Sequence, residues 1–524
     1  MRTRHTAWKL LGALLALTLL AAACGGGDDS SDDGSGGSAA DIDPDGVLRL
    51  PSDLSAAQAG QLDPIIVDVL LYPIHEYLFG TLLKLNAEGE VEPNLAESVD
   101  ITDSTHLVVK LRPGLKFTDG TVLDAEALKF SWERTIAQAK PGGIEGEFRE
   151  VKTLTVASAT ELQVELTKPI AGAFYRLLRF AEASPVSPTA VKSGADFNKS
   201  PVGAGPFKLK SYEPNVAIRL EKNPDYWNAD EVKLAGIEYV NVSAQAMTNA
   251  VRSNTIDFTL LSAAQTGEVK GAPGFEVTTE ASNGIMLQGL WCKSRPPFDN
   301  LKVRQALNYA VDRESLNAAV YNGLGEDMDG FNSSISPFYD EELDGYYEYD
   351  AAKAKKLLAE AGAANLAFDM FFQPSSDGQV AAEVLQQQFD KVGVKVTLKP
   401  LSNATDFYPN ATGAPINILP LARVGIPKVT RVLVPPSFGN ICNWDDPELN
   451  EMVLDLQAIE ETSPEGIALW KKISEYGLRK AVHLFGLFGT QGVAVDESRL
   501  GGVEFYEGRL GQPTLDIEKV FIKK

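Results

Sequence analysis

The clearest constraint on the fold is a helix that runs directly into a strand in the second half of the chain. Apolar positions recur at helical spacing between Ala381 and Phe389. The helix is predicted to end near Gly393, and apolar residues then alternate from Val394 to Leu398. A helix, a glycine and a strand in this order predict an α/β lobe.

The same mixture of patterns extends along the chain. Alternating apolar residues predict strands at 107–111, 162–166 and 216–220, and the turn sequence 213–215 precedes the last of these. Residues 46–524 exceed what one hydrophobic core usually organises, so at least two lobes are expected. The sequence contains no internal repeat and no long linker in this part. The lobe boundaries are therefore predicted to be strand crossings.

Helix boundaries are marked by capping residues in the second half. Asp299 and Asp350 are predicted N-caps of two amphipathic helices, and Gly362 is predicted to end the second. Ser463 and Pro464 are predicted to be the N-cap and first residue of a late helix.

The N-terminal segment predicts export from the cytoplasm. An apolar run at 10–23 follows three basic residues and is too short to span a bilayer, so residues 1–23 are predicted to be a signal peptide. Small residues precede Cys24, and the stretch resembles a bacterial lipobox, in which this cysteine is acylated. Residues 24–45 are predicted to be a flexible Gly/Asp/Ser tether. Plain cleavage and secretion is the alternative.

The charge of the chain limits its partners. The formal net charge is −23, and it becomes −26 without the three basic residues of the signal segment. Such a surface repels nucleic acid and anionic lipid, so neither is an expected partner. A lipid on Cys24 is the only membrane anchor that we expect, and we expect a monomer. Cys292 and Cys442 either form a disulfide or remain two separate buried thiols.

Catalytic and metal motifs are absent from the sequence. It has no G-x-S-x-G, no P-loop, no H-E-x-x-H and no C-x-x-C. Its four histidines are scattered singly, and Gly203-Ala204-Gly205 precedes Pro206, which indicates the start of a strand rather than a phosphate loop. We expect no catalytic residue, no metal and no cofactor, although abundant carboxylates leave an extracellular enzyme open.

Four separated sequence blocks together indicate a class of protein. The first, 107–134, contains Arg-Pro-Gly, Phe-x-Asp-Gly and Ser-x-x-Arg, and the second, 201–227, contains Gly-Ala-Gly-Pro-Phe and ends in Asn-x-x-Tyr-Trp. The third, 296–316, reads PPFDNLKVRQALNYAVDRESL. The fourth combines 349–362 with 389–398. Together they resemble the family 5 solute-binding proteins of bacterial ABC importers, the oligopeptide-, dipeptide- and nickel-binding group.

This resemblance implies a periplasmic-binding-protein-like clamshell of two α/β lobes, with an additional subdomain on the first lobe. The implied ranges are 46–85, 198–282 and 490–524 for lobe I, 86–197 for the subdomain, and 283–489 for lobe II. The crossings then fall near Ser282-Asn283-Gly284 and Phe488-Gly489. A ligand is expected between the lobes.

The chain departs from the peptide-binding members of this family in one stretch. Those members usually carry an aspartate there that meets the α-amino group of a peptide, whereas residues 416–436 contain no acid. Arg423, Gly425, Lys428 and Arg431 are the candidate ligand-binding residues of this stretch. The cations favour a ligand with a carboxylate or phosphate. The alternative is that they lie on a loop that faces solvent.

The strand after the first crossing supplies further candidates. Asn283, Met286, Gln288 and Trp291 are predicted to line the cleft, and Trp444 is a further candidate. For Trp291 two alternatives remain, since an aromatic ring there either stacks on the ligand or packs into the core of the lobe.

The resemblance implies a capture subunit that closes on a solute and delivers it to ABC permease subunits outside the cytoplasm. Two other functions remain open from sequence: an extracellular hydrolase that acts on an oligomer, and a signal receptor that presents a ligand without transport. The first would depend on a carboxylate, and the second on a sensor partner.

Overall fold

The computed structural model describes residues 41–54, 61–65, 72–87, 89–138, 146–372, 376–401, 416–421, 440, 444–508 and 513–524. For residues 280–285, 376, 416–421 and 507 the description covers the backbone alone. The bounds of the described helices and strands are as follows.

The helices are α1 (Tyr72–Phe79), α2 (Ala125–Gln138), α3 (Ala171–Leu177), α4 (Pro188–Lys192), α5 (Met247–Arg252), α6 (Ala263–Val269), α7 (Leu301–Tyr309), α8 (Arg313–Tyr321), α9 (Ala351–Glu360), α10 (Ser376–Lys391), α11 (Pro447–Ala458) and α12 (Pro464–Arg479). Short 3-10 helices occupy Gly146–Glu150, Ala181–Ala183, Ala244–Ala246 and Glu341–Leu343.

The strands are β1 (Val47–Ser52), β2 (Leu83–Leu85), β3 (Val91–Pro93), β4 (Ala96–Asp103), β5 (His106–Leu111), β6 (Val151–Val156), β7 (Glu161–Leu166), β8 (Phe207–Glu213), β9 (Ala217–Lys222), β10 (Gly236–Asn241), β11 (Phe258–Leu261), β12 (Phe275–Trp291), β13 (Glu326–Asp327), β14 (Ala367–Phe372), β15 (Lys395–Pro400), β16 (Ile416–Leu421), β17 (His483–Asp496), β18 (Leu500–Gly501), β19 (Phe505–Glu507), β20 (Pro513–Leu515) and β21 (Phe521–Ile522).

One sheet in the predicted lobe I has the strand order β1-β10-β9-β8, with β1 parallel to β10 and the other pairs antiparallel. The predicted turn between β8 and β9 is confirmed, and Asn215 adopts a positive φ of 60° there. Val216 belongs to this turn and is 52% exposed, so the strand begins one residue later than predicted, at Ala217. Ile218 and Leu220 face the core as predicted.

The predicted subdomain contains an antiparallel sheet in the order β4-β5-β7-β6. The alternating residues of β5 and β7 are buried, as their sequence pattern predicts. Trp132 of α2 packs edge-on against Phe148 and Phe174. This core is continuous with that of the sheet of lobe I.

The largest described sheet has seven strands in the order β11-β17-β12-β16-β14-β15, and β13 pairs with β17. Parallel strands β14 and β15 are joined through α10, and Gly393 adopts a positive φ of 88° between α10 and β15. The helix–glycine–strand prediction is therefore confirmed. Two cores on this sheet draw their residues from the range between Met286 and Phe488.

The helix N-caps lie where the sequence predicts them, except for one that is displaced by one residue. The side chains of Asp350 and Ser463 accept hydrogen bonds from backbone N–H groups in the first turns of α9 and α12, as predicted. For α7 the prediction of Asp299 was wrong by one residue, because Asn300 is the last non-helical residue there. Its Oδ1 accepts the N–H of Lys302 at 2.9 Å.

The third sequence block holds strand β17 and the end of α12 in place. The buried guanidinium of Arg304 donates to the carbonyls of Phe298, Lys480 and Ala481 at 2.7, 2.8 and 3.1 Å. Asn308 exchanges hydrogen bonds with the β17 backbone, donating to His483 O and accepting from Phe485 N. The carbonyls of Lys480 and Ala481 lie just after the C-terminus of α12, and that of His483 lies at the start of β17, where intrahelical partners are lacking. The block therefore fixes the second crossing strand.

The first two blocks meet where the predicted subdomain joins lobe I. Arg112 lies over the ring of Trp227, with 3.8 Å to the ring centroid, and its Nε donates to Asn94 O. The Trp227 indole donates to Asn94 Oδ1 at 3.0 Å. Gly205 packs against α1, where a Cβ would lie 2.3 Å from Tyr77 O. Gly205 therefore allows close backbone packing. The strand β8 starts soon after it, at Phe207, and this agrees with the predicted strand start.

Candidate ligand-binding site between the lobes

The candidate site is built around the two strands that pass between the separate cores. Antiparallel β12 and β17 pair through most of their length, from Phe275 to Ala281 and again from Met286 to Leu290. The pairing is interrupted between the Ala281–Thr490 pair and the Met286–Phe488 pair. On one side of this interruption the buried residues belong to the cores of lobe I, and on the other to those of lobe II. This arrangement is what a joint between two bodies requires.

Several buried polar atoms near the interruption have no hydrogen-bond partner among the described residues. Gln288 is 1% exposed, and neither its Nε2 nor its Oε1 is paired. Thr490 Oγ1 and Gln491 Oε1, on the other side of the interruption, are also buried without a partner there. Because a buried unpaired polar atom costs about 1–3 kcal/mol, such atoms call for an occupant, either a water molecule or a ligand.

The edge of lobe I contributes the ends of parallel strands. β1 and β10 both end at this edge, at Ser52 and Asn241, and Asn241 Oδ1 accepts the N–H of Leu54 at 3.0 Å. Ser52 Oγ is buried and has no partner among the described residues. In open α/β sheets, ligands bind in the crevice outside the carboxyl ends of parallel strands. The edge therefore fits one wall of a ligand site.

An ion pair positions the chain that follows β1. Arg134, the last residue of the Ser-x-x-Arg motif, donates to Asp63 Oδ1 at 3.0 Å, and both side chains are largely buried. The guanidinium also lies over the ring of Phe197. The motif thus ties residues 61–65 to the subdomain.

Two of the predicted site residues lie in the core of lobe II. Met286 and Trp291 are both 0% exposed. Trp291 stacks on Phe298 with 5.2 Å between ring centroids, and its Nε1 donates to Ala481 O at 3.0 Å. This is the packing alternative for Trp291, and no surface of either side chain is free for a ligand. We therefore withdraw both from the candidate site, because residues of lobe II cover them. Gln288 is equally buried but stays a candidate, because its amide atoms are unpaired among the described residues.

Trp444 is half-buried beside an unusual lysine. The Lys293 ammonium lies 4.7 Å from the centroid of the Trp444 ring and donates to Val482 O at 3.3 Å. Burial, followed by the nearby Arg304 guanidinium, lowers the pKa of Lys293 to about 7. Lys293 follows Cys292, which is disulfide-bonded.

The other predicted residues lie outside the described residues. These are Cys24, Arg423, Gly425, Lys428, Arg431, Cys442 and the side chain of Asn283. Their predicted roles in lipidation, ligand binding and disulfide pairing remain predictions. Of the predicted ligand contacts that the structure describes, Gln288 and Trp444 remain candidates.

Sequence reasoning missed Lys293, Thr490 and Gln491. Lys293 stands between a cysteine and a serine, with no pattern to indicate burial. Thr490 and Gln491 directly follow the predicted crossing at Phe488-Gly489. Two adjacent polar residues next to a predicted joint, with apolar residues and glycines on both sides of them in the strand, were the signal that could have indicated them.

The described residues contain neither a candidate metal site nor a candidate membrane-spanning helix. No group of three or more potential metal-ligating side chains is found within the described ranges. None of the helices in the described part of the chain is both long enough and apolar enough to cross a bilayer.

Comparison with known families identifies the class. Residues 90–424 match the family described as bacterial extracellular solute-binding proteins, family 5 Middle. This range is more than half of the chain. The chain belongs to family 5 of these solute-binding proteins.

Curated relatives fall in the same family. The glutathione-binding protein GsiB of Shigella flexneri serotype 5b is 30% identical over 356 residues, which cover 64% of this chain and 66% of that protein. GsiB of Escherichia coli K12 is 29% identical over 362 residues, with the same shares. The chain thus spans slightly less than two thirds of the length of these relatives.

Solved structures share the fold at low sequence identity. NikA from Brucella suis, in complex with Fe(III)-EDTA, has a TM-score of 0.77 and 20% identity, and the match covers 91% of this chain and 100% of that chain. The murein tripeptide-binding protein MppA, in an unliganded open form, has a TM-score of 0.76 and 19% identity, with 92% and 98% covered. The predicted α/β clamshell class and the family resemblance are therefore confirmed.

Proposed function

We propose that this family 5 protein is the capture subunit of an ABC importer, which binds a small solute between lobe I and lobe II and delivers it to membrane permease subunits. The observation that carries the proposal is the interruption between β12 and β17, where the cores separate and buried polar atoms lack partners. The subunit has no catalytic role of its own. The hydrolase and receptor alternatives gain no support from the described site.

The ligand proposed for this site is a small peptide-like molecule that carries a carboxylate. Relatives at 29–30% identity are described as glutathione-binding proteins, and glutathione has two carboxylates. Arg423, with Lys428 and Arg431, is proposed to bind such a group. Gln288 would contribute an amide donor and acceptor from β12.

Native mass spectrometry of the purified protein, followed by calorimetry with glutathione and related peptides, tests this proposal. A cognate ligand should raise the melting temperature by mass action and reduce the radius of gyration in solution scattering as the lobes close. Arg423→Ala should weaken binding roughly tenfold to a hundredfold, since a charged hydrogen bond contributes about 1.5–3 kcal/mol. A ligand that saturates the protein and leaves the radius of gyration unchanged would rule out capture by closure.

We further propose that the mature protein begins at an acylated Cys24 and is held at the outer face of the cytoplasmic membrane, with 24–40 as a tether. The predicted tether of 24–45 was too long at its C-terminal end, because Asp43 N donates to Ile522 O at 2.8 Å and Lys524 N donates to Asp41 O at 3.0 Å. The support is the apolar run, the small residues before Cys24 and the Gly/Asp/Ser spacer after it. Fractionation of cells that express Cys24→Ser tests the anchor. Equal membrane association of the variant and the wild type would contradict it.

A further inference from the structure

The subdomain and lobe II also contact each other at a place outside the two crossing strands. Helix α3 of the subdomain faces the turn that follows α11 of lobe II. Arg179 Nη2 donates to Glu461 Oε1 at 3.1 Å, and Arg176 Nε lies 3.7 Å from the same oxygen. Arg176 Nη2 lies 3.7 Å from a Glu147 carboxylate oxygen within the subdomain. Two arginines and two glutamates thus form one balanced cluster across the boundary.

The cluster is shielded from solvent. The side chains of Arg176, Arg179 and Glu461 are 8%, 11% and 8% exposed. Charges at this burial are stable only when paired, and removal of one partner from a buried pair costs about 3–5 kcal/mol. This contact therefore differs from the many exposed ion pairs of the molecule, whose contribution is small.

The backbones of the two bodies also approach closely at this point. A Cβ on Gly172 would lie 1.5 Å from Ile459 O, so only glycine allows α3 to lie on this carbonyl. Beside the contact runs an open groove of about 450 Å³, with Asp100 and Tyr175 on the subdomain side and Glu460 on the side of lobe II. The two surfaces touch without merging into one core, and such a contact can separate without unfolding either body.

We propose that Glu461, bound by Arg179 and Arg176, is an ionic latch that holds the subdomain against lobe II in the arrangement described here. The described chain passes between the two sides in β12 and β17, and the latch is a third, non-covalent connection. Rotation of the lobes about the strand interruption must break it. Loss of Glu461 should shift the equilibrium toward separated lobes by roughly a hundredfold or more.

The inference rests on the proposed opening and closing of the lobes, but its test needs no ligand. Small-angle scattering of the ligand-free protein is compared for the wild type, Glu461→Gln and the control Glu360→Gln. Glu360 pairs with Lys302 inside lobe II, and both side chains are well exposed. The latch predicts a larger radius of gyration for Glu461→Gln alone. A charge swap, Glu461→Arg with Arg179→Glu, should restore compactness relative to Glu461→Arg.

Circular dichroism and melting curves establish that each variant is folded, and Arg179→Gln replaces Glu461→Gln if the latter is not. An unchanged radius of gyration in the folded variant would overturn the latch, as would an equal increase in the control. Failure of the proposed function would be seen separately, as a ligand that binds the wild type without compaction. A latch variant that expands while the wild type binds no solute supports the latch and counts against the importer proposal.

Discussion

Two buried glutamines in lobe II show how differently two regions of the same lobe treat polar groups. Gln388 on α10 is 3% exposed, and its amide is fully used: Oε1 accepts Asp312 N–H at 3.1 Å, and Nε2 donates to Asp312 O at 2.9 Å. Gln288 on β12 is 1% exposed and has both amide atoms unpaired among the described residues. The first amide ties α10 to the start of α8.

The contrast extends beyond these two residues. Around the third sequence block, Arg304 and Asn308 direct every described hydrogen bond to backbone carbonyls and N–H groups of the same lobe. Near the strand interruption, Thr490 and Gln491 have buried atoms with no partner in the described part of the chain. Paired polar groups stabilise a fold, whereas a buried unpaired group costs free energy until a water molecule or a ligand satisfies it.

The largest effect is expected at Arg304 in the paired region. Arg304→Met removes donors from at least three buried carbonyls and should lower the free energy of unfolding by about 3 kcal/mol. Urea denaturation measures this change. Lys302→Met is the control two residues earlier in α7, where an exposed ion pair with Glu360 should contribute less than about 1 kcal/mol. Equal effects at the two positions would show that the hydrogen bonds of Arg304 do not set its contribution.

Substitutions of the two glutamines should change the stability of the protein in opposite directions. Gln388→Leu leaves the backbone N–H of Asp312 unpaired, while its carbonyl keeps the N–H of Leu316, and should destabilise the protein by about 2 kcal/mol. Gln288→Leu removes an unpaired amide and should stabilise the ligand-free protein by about 1 kcal/mol. Denaturant midpoints of the two variants provide the measurement. If Gln288→Leu is destabilising as well, a buried water satisfies the amide and the two regions do not differ in this respect.

A smaller effect, dependent on pH, is expected at Lys293. Its pKa is lowered to about 7 in the folded protein by burial and by Arg304. Between pH 7 and about 10.5 the unfolded state therefore binds more protons, and this residue makes stability rise with pH by up to about 1.4 kcal/mol per unit.

Lys293→Met should abolish this slope. Unfolding free energies at pH 7.5 and 9.5 should show the wild type gaining about 2 kcal/mol on the variant. Lys355→Met, at an exposed position of α9, serves as the control and should follow the wild type. A constant difference between the wild type and Lys293→Met would mean that Lys293 is charged in the folded protein throughout this range, as it is in the unfolded chain.

Local patterns in the sequence were sufficient to predict much of the fold. The strands β5 and β7, the hairpin turn at Asn215 and the caps Asp350 and Ser463 depend on neighbours within a few residues. Strand or helix periodicity and a capping hydrogen bond are local properties, so they are visible before the chain folds. The N-cap of α7 is Asn300 and not the predicted Asp299, so this local prediction was wrong by one residue.

The sequence by itself determined the α/β class and the family, since these follow from short patterns and from four blocks in order. The tertiary structure decided what each crossing-strand residue does. Alternation along β12 places Met286 and Trp291 on opposite faces of the strand. It cannot show that hydrophobic cores cover both of these faces in lobe II. Likewise, nothing local distinguishes Gln288 from Gln388. Whether a buried amide has a partner depends on residues distant in the chain, and only the folded protein brings them to it.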